Sequence, residues 1–238
     1  MTALVISDLH ASSADPAIGE RLVDFLDGAA RRADALYVLG DLFESWLGDD
    51  DPSPANAPVL AALKRLTTGG VALYFMHGNR DFLVGPGFAA ATGASLLRDP
   101  TVVLHDGVRL LMTHGDALCV DDVPYQKLRA TVRDPALQRA FLRLSVKTRA
   151  AVVGEARAGS EAHTRTQAMA LMDVNPAAVE DAFRRAGVDL LLHGHTHRPG
   201  VHDLVIDGRP RRRIVLGDWY TSGSFATLAR GSVTLSPL

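Results

Sequence analysis

The chain has a single cysteine, Cys119, so an intramolecular disulfide is excluded and a reducing, cytosolic home is expected. No apolar run approaches the roughly 18 residues of a spanning helix, and the N-terminus lacks the basic, apolar and small-residue pattern of a secretion signal. Any contact with a membrane is therefore expected to be peripheral. Strong net charge is missing as well: at −2 the chain has no general affinity for nucleic acid. Repeats, low-complexity tracts and linkers are absent from its 238 residues, which predicts one domain over 1–238. With 47% hydrophobic and 22% charged residues, disordered and fibrous classes are excluded too.

What is present is an α/β rhythm. Short apolar, β-branched-rich runs predict strands over Ala3–Ser7, Leu36–Leu39, Val71–Met76, Val108–Met112 and Val188–Leu192. Gly19–Arg32, with Leu22, Val23, Leu26 and Ala29 at helical spacing, and Pro54–Leu66 predict crossover helices. Four further strands, Val201–Ile206, Arg213–Leu216, Phe225–Leu228 and Val233–Leu235, predict a second, mixed or antiparallel sheet in the C-terminal third.

One stretch breaks this rhythm: about 121–172 reads as a helical cap inserted beside the main body. Between Lys127 and Arg165 it holds nine basic side chains against three acidic ones, a local +6 that leaves −8 for the remainder. Such a concentration predicts an anionic partner at one face. Leu137, Phe141 and Leu144 recur at helical spacing among Arg139, Arg143, Lys147 and Arg149. Two readings fit: an apolar stripe facing the core with a solvated basic face, and docking of the basic face on anionic lipid headgroups while an acyl chain enters an apolar cleft.

Each of the five main strands runs into a cluster of metal-binding residue types. They are Ser7-Asp8-Leu9-His10, Gly40-Asp41, Gly78-Asn79-Arg80-Asp81, Thr113-His114-Gly115-Asp116 and His193-Gly194-His195-Thr196-His197. Carboxyl ends of parallel strands share one edge of a sheet, so the clusters are expected to converge on one crevice. If the chain stays extended there, Asp8 and His10, and likewise His195 and His197, point the same way. Any one fragment has a bland reading, because Asp41 and Asn79 suit turns and a lone His-x-His is common. Five in order are not a coincidence. Asp8, Asp41 and Asn79 with His10, His114, His195 and His197 exceed the ligand number of one ion, which predicts two divalent ions sharing a carboxylate. Oxygen and nitrogen donors without thiolate suit Mn(II), Fe(II) or Zn(II), and the asparagine with a water-rich remainder leans toward Mn(II). Such a pair hydrolyses phosphate esters or anhydrides. His105 and His202 are expected on strand surface, His163 in the cap, and Asp49-Asp50-Asp51 as a solvated loop; none is needed as a ligand. His77 and His193 adjoin the site and suit orienting, core or turn roles equally.

These blocks resemble the signature of the calcineurin-like metallophosphoesterase superfamily, which implies an αββα sandwich of two mixed sheets. Arg80 stands where most of that superfamily has histidine. Arginine cannot donate a proton at physiological pH but can neutralise phosphate, which suffices for the good leaving group of a pyrophosphate. Longer strings, Ile6–His10, Leu39–Trp46, His77–Phe82, Met172–Asn175 and His193–Pro199, are similar to the UDP-2,3-diacylglucosamine pyrophosphohydrolases of lipid A biosynthesis over nearly the whole length.

That resemblance implies hydrolysis between the two phosphates, with water attacking the α-phosphorus to release UMP and leave the lipid monosaccharide phosphate. It implies a first ion on Asp8, His10, Asp41 and His197, a second on Asp41, Asn79, His114 and His195, and Asp41 as the bridge. Asn79, Arg80, Asp122, Ser160 and His195 are implied substrate contacts, and Asp41, Asn79, Arg80, His114 and His195 the catalytic set. Implied too are a UDP-activated diacylated glucosamine lipid as substrate, no nucleic acid or obligate protein partner, and a place on the cytoplasmic face of the inner membrane. The chain departs from the family at Thr164 and Gln167, where relatives carry asparagine and lysine. Rival readings are another phosphodiesterase or nuclease of the superfamily and a non-catalytic scaffold.

Overall fold

The computed structural model describes residues 1–51, 53–166, 173–220 and 223–238, and of 157–166 the backbone alone. Two mixed sheets pack face to face. The first has the order β11-β10-β1-β2-β3-β4, with β1 (Ala3–Ile6), β2 (Ala35–Val38), β3 (Ala72–Met76) and β4 (Ser95–Leu97) parallel, β10 (Ser224–Ala229) antiparallel to β1 and β11 (Ser232–Pro237) antiparallel to β10. In the second, β5 (Thr101–His105) lies antiparallel to β6 (Val108–Met112), β7 (Leu190–His193) and β9 (Arg209–Val215) run parallel to β6, and β8 (Gly200–Ile206) closes the edge.

Side-chain alternation explains the layers. Ala3 and Val5 of β1, Ala35 and Tyr37 of β2, and Leu110 and Met112 of β6 meet between the sheets. Leu4 and Ile6, on the opposite face of β1, pack with Leu36 and Val38 under α1 (Pro16–Asp27), α2 (Ala57–Thr68) and α3 (Pro86–Thr92). Leu111 and Leu191 of the second sheet pack with Val179 and Phe183 of α7 (Pro176–Ala186). Every strand covered on both faces therefore reads as a continuous apolar run, and each buried Leu, Ile or Phe adds about 1.5–3 kcal/mol.

The αββα sandwich expected from the family resemblance is what the chain adopts, with one redistribution. The C-terminal strands do not form a sheet of their own: β8 and β9 extend the second sheet, whereas β10 and β11 return to β1, with Ala3 opposite Leu228. The helix placed over Gly19–Arg32 starts earlier, at Pro16, and stops at Asp27 before a separate 3-10 turn, Ala30–Arg32. The strand β5 and helix α3 were not anticipated.

The insertion is helical: α4 (Val123–Val132), α5 (Pro135–Leu142) and α6 (Val146–Thr166). Asp122 and Asp134 cap α4 and α5 through their carboxylates, and a proline opens each helix. Gly154 and Gly159 lie within α6 without ending it. Asn175 closes the insertion from the other side, capping α7 through Ala178 N–H while its amide donates to Asp121.

Candidate metal centre

The five clusters come from both sheets, not from one edge. Asp8, Asp41 and Asn79 follow β1, β2 and β3, while His114 and His195 follow β6 and β7. Loop hydrogen bonds tie each half, Asp8 N–H donating to Gly40 C=O and Gly194 N–H to His114 C=O, and others cross between them: His114 Nδ1 reaches Leu39 C=O at 2.8 Å and His195 N–H donates to Asp8 Oδ2 at 2.9 Å.

The local backbone is not extended, which corrects the alternation expected for Asp-x-His and His-x-His. Asp8, His10, Asp41, His195 and His197 all have φ between +53° and +67°. A non-glycine residue in this left-handed region costs about 1 kcal/mol or more. Five of the seven expected ligands share it because a sharp reversal at each aims the side chain inward. Fixed hydrogen bonds hold the reversals: Leu9 and His10 N–H both donate to Asp41 C=O, and His195 N–H to Asp8 Oδ2. Asp81, fully buried, accepts from Gly78, Asp41 and Leu42 N–H. Two glycines permit the approach: a Cβ on Gly40 would collide with Gly78 N, and one on Gly194 with the Asp8 carboxylate.

All seven expected ligands are brought together. Asp8, His10 and His197 form one group with donor atoms within 4.8 Å of one another, and Asp8, Asp41 and His114 a second. Asp41 Oδ2 reaches toward both, 3.7 Å from His10 Nε2 and 3.8 Å from His114 Nε2. Asn79 Oδ1 lies 2.9 Å from His114 Nε2 and 3.0 Å from His195 Nδ1, which ties His195 to the second group. Asp8, His10, Asp41 and His114 form a buried floor, and Asn79, His195 and His197 a half-buried rim.

A divalent cation fits these donors. Asp8 Oδ1 is buried with no hydrogen-bond partner, and His10 and His197 face each other Nε2 to Nε2 at 3.4 Å, an arrangement that a shared cation satisfies. Protonation follows the same logic. Burial opposes charge on Asp8, but His197, whose Nε2 lies 3.5 Å from Oδ1, and the nearby imidazoles of His114 and His10 outweigh it and hold the carboxyl below its usual range. Asp41 is pushed up to about 6, chiefly by burial. Burial would neutralise His114, but Asp41, Asp116, Asp8 and Asp99 raise it to about 9, so without a metal this imidazole supplies the positive charge. Burial and then His114 lower His195 to about 3, which keeps it neutral as a ligand must be.

Arg80 is anchored beside Asn79 by its own N–H, which donates to Asp41 Oδ1 at 2.8 Å, and its guanidinium lies 3.5 Å from Glu44. Asp122 caps α4 through Tyr125 N–H at 3.0 Å, and the Tyr125 ring stacks against His195 with centroids 5.9 Å apart. The Ser160, Thr164, Arg165 and His163 side chains and all of Gln167 lie outside the described residues.

Some sequence expectations fail here. Arg149 is not part of a solvated basic face: it is 1% exposed, pairs with both oxygens of Asp50 at 2.8 and 2.5 Å and donates to Leu47 C=O. Asp49 and Asp50 are exposed, as a solvated loop requires, but the loop is also tied down: Asp50 pairs with Arg149, and Asp49 accepts from Trp46 Nε1 and from Gly85 and Gly87 N–H. Leu137 and Leu144 do not face a core; they are exposed. His105 is buried, whereas His202 is exposed as expected. His77 and His193 brace loops, through Val84 C=O and through Gly194 C=O and Arg213 respectively.

Sequence reasoning also passed over buried supports. Asp116, two residues beyond His114, accepts from the Tyr125 hydroxyl at 2.7 Å, Arg129 Nε at 2.8 Å and Arg133 at 3.3 Å, and Arg133 also donates to Gly78 C=O. Asp81, Asp116 and Glu44 lay in the quoted clusters and strings, so a signal existed; Tyr125 and Tyr220 had none.

A family model described as calcineurin-like phosphoesterase matches residues 1–199. The chain belongs to that family. Among curated relatives, the UDP-2,3-diacylglucosamine hydrolase of Enterobacter sp. (strain 638) is 47% identical over 99% of this chain and 98% of its own length. The protein of that name from Aeromonas salmonicida (strain A449) is 48% identical over 99% and 92%. The family resemblance carried by the Gly78–Asp81 and His193–His197 blocks is thus borne out, and membership implies a divalent metal at this site. The solved structure of an archaeal phosphodiesterase, 15% identical over the full length of both chains with a TM-score of 0.50, shares the fold. So does zinc-bound Vps29 from Entamoeba histolytica, 15% identical over 100% and 98% with a TM-score of 0.50.

Proposed function

We propose that this chain hydrolyses the pyrophosphate bond of UDP-2,3-diacylglucosamine, adding water at the α-phosphorus to give UMP and 2,3-diacylglucosamine 1-phosphate, a step of lipid A biosynthesis. The observation that carries the reading is the meeting of seven metal-binding side chains beside Arg80, in a chain nearly half identical to hydrolases named for that substrate. Asp8, His10, Asp41 and His197 would hold one divalent ion and Asp41, Asn79, His114 and His195 a second, most simply Mn(II). Bound there, the ions supply an activated water and neutralise phosphoryl oxygens.

The protein's own groups do the rest. Arg80 binds and neutralises phosphate without giving up a proton, in keeping with a phosphate leaving group. Asn79 and His195 line the same position, and Asp122 and Ser160 serve the substrate from the cap. Leu128, Leu137, Leu142, Leu144 and Val152 stand exposed on the cap, beside Arg139, Arg143 and Lys147. Such a surface suits an acylated substrate at an anionic bilayer, and we place the protein on the cytoplasmic face of the inner membrane. No helix among the described residues is long and apolar enough to cross it.

Metal-stripped protein incubated with UDP-2,3-diacylglucosamine tests the reading. UMP should appear only after Mn(II) is restored. Faster turnover of bis-p-nitrophenyl phosphate than of the lipid would instead mark a general phosphodiesterase.

A further inference from the structure

Glu44 stands where three groups of the site meet. Its Oε2 is 2.9 Å from His10 Nδ1 and 3.3 Å from the Tyr220 hydroxyl, and its Oε1 is 3.5 Å from Arg80 Nη1. The Tyr220 ring stacks on His10 at 5.3 Å and 23°. The imidazole is thereby held at its edge by a carboxylate and on its face by a phenol. Its other nitrogen, Nε2, is the one turned toward Asp41 and His197.

A neutral imidazole carries its proton on one nitrogen and its lone pair on the other, so a carboxylate that accepts from Nδ1 leaves the lone pair on Nε2. Glu44 contacts the ring on the side away from the expected ligands, which gives it a supporting place and not a ligand's. We infer that Glu44 is a positioning residue with two tasks: it fixes His10 in the Nδ1–H form with Nε2 presented to a divalent cation, and it steers the Arg80 guanidinium over the same site. This rests on the metal-dependent reading of the centre. Arg80 is then fixed twice, its backbone on Asp41 and its side chain on Glu44, so the phosphate-binding group and the metal ligand share one brace.

Direct Mn(II) titration, followed by the electron paramagnetic resonance of unbound Mn(II), separates the two tasks when paired with kinetics at saturating Mn(II). Glu44→Ala should weaken Mn(II) binding about 10- to 100-fold. Glu44→Gln keeps an amide oxygen that accepts from Nδ1, so its Mn(II) affinity should stay within about threefold of wild type. It loses the charge opposite Arg80, and its kcat should fall about tenfold with the metal sites full. Unchanged Mn(II) affinity in Glu44→Ala overturns the first task, as does a Gln variant that binds Mn(II) as poorly as the Ala variant. An unchanged kcat in Glu44→Gln overturns the second. Wild-type protein that binds no Mn(II) would bring down the reading of the centre itself, a result distinct from each of these.

Discussion

The loops at the edge of the sandwich and the cap helices beside them are built on opposite lines. In the loops, charged and polar side chains are buried, five of the expected ligands hold left-handed backbone, and almost every group is fixed by a hydrogen bond. In the cap, α4 and α5 bury no residue at all, and apolar side chains such as Val123, Leu128 and Leu137 stand about half exposed. Precision is invested where donor atoms must agree within tenths of an ångström, and adaptable apolar surface is left on the cap, where the proposed function has an acyl chain of no fixed shape. Two polar latches join these regions: Asp116 with Tyr125, Arg129 and Arg133, and Arg149 with Asp50 and Leu47.

The largest effect should come from the loop side. Arg80→Ala is expected to lower kcat by about a hundredfold while Mn(II) stays bound, because it removes a donor directed at developing phosphate charge. An unaltered kcat would transfer phosphate recognition to the cap and erase the division of labour.

Next comes the latch. Asp116→Asn removes the carboxylate shared by Arg129 and Arg133, leaving Arg129 only Asp99, and should cost about 2 kcal/mol in urea unfolding. Burial opposes charge on Asp116, but His114, Arg133 and Arg129 hold its carboxyl well below the usual carboxylate range. A depressed folded pKa stabilises above the unfolded value of about 4, and that contribution is lost as pH falls through the folded pKa. Acidification should therefore destabilise wild type more steeply than the Asn variant; parallel curves would show that Asp116 is not charged in the fold.

The smallest effect per residue is expected on the open face of the cap. Replacing Arg139, Arg143 and Lys147 together by glutamine should weaken binding to anionic vesicles by about 1 kcal/mol per charge, with metal-site kinetics on a soluble substrate unchanged. Equal partitioning of variant and wild type would assign these charges to solubility alone.

The same contrast explains what was legible in the sequence. The ligand clusters stood out because glycine, aspartate and histidine at a strand end form a local pattern, and local patterns survive without knowledge of pairing. Strand β4, three residues with two exposed, carries no periodic signal, and the return of β10 to β1 joins residues more than 220 positions apart. Arg149 read as one more cation on a helix face, because its partner Asp50 lies 99 positions away. Glu44, Asp81 and Asp116 were visible as residues, but their tasks depend on loops from other strands.

Metal stoichiometry tests the central claim most directly. Wild-type protein equilibrated with Mn(II) and analysed by elemental mass spectrometry should hold two ions per chain, and Asp41→Ala should lose both, since Asp41 reaches toward both donor groups. A single ion per chain, or two that persist in Asp41→Ala, would contradict a centre organised around that carboxylate.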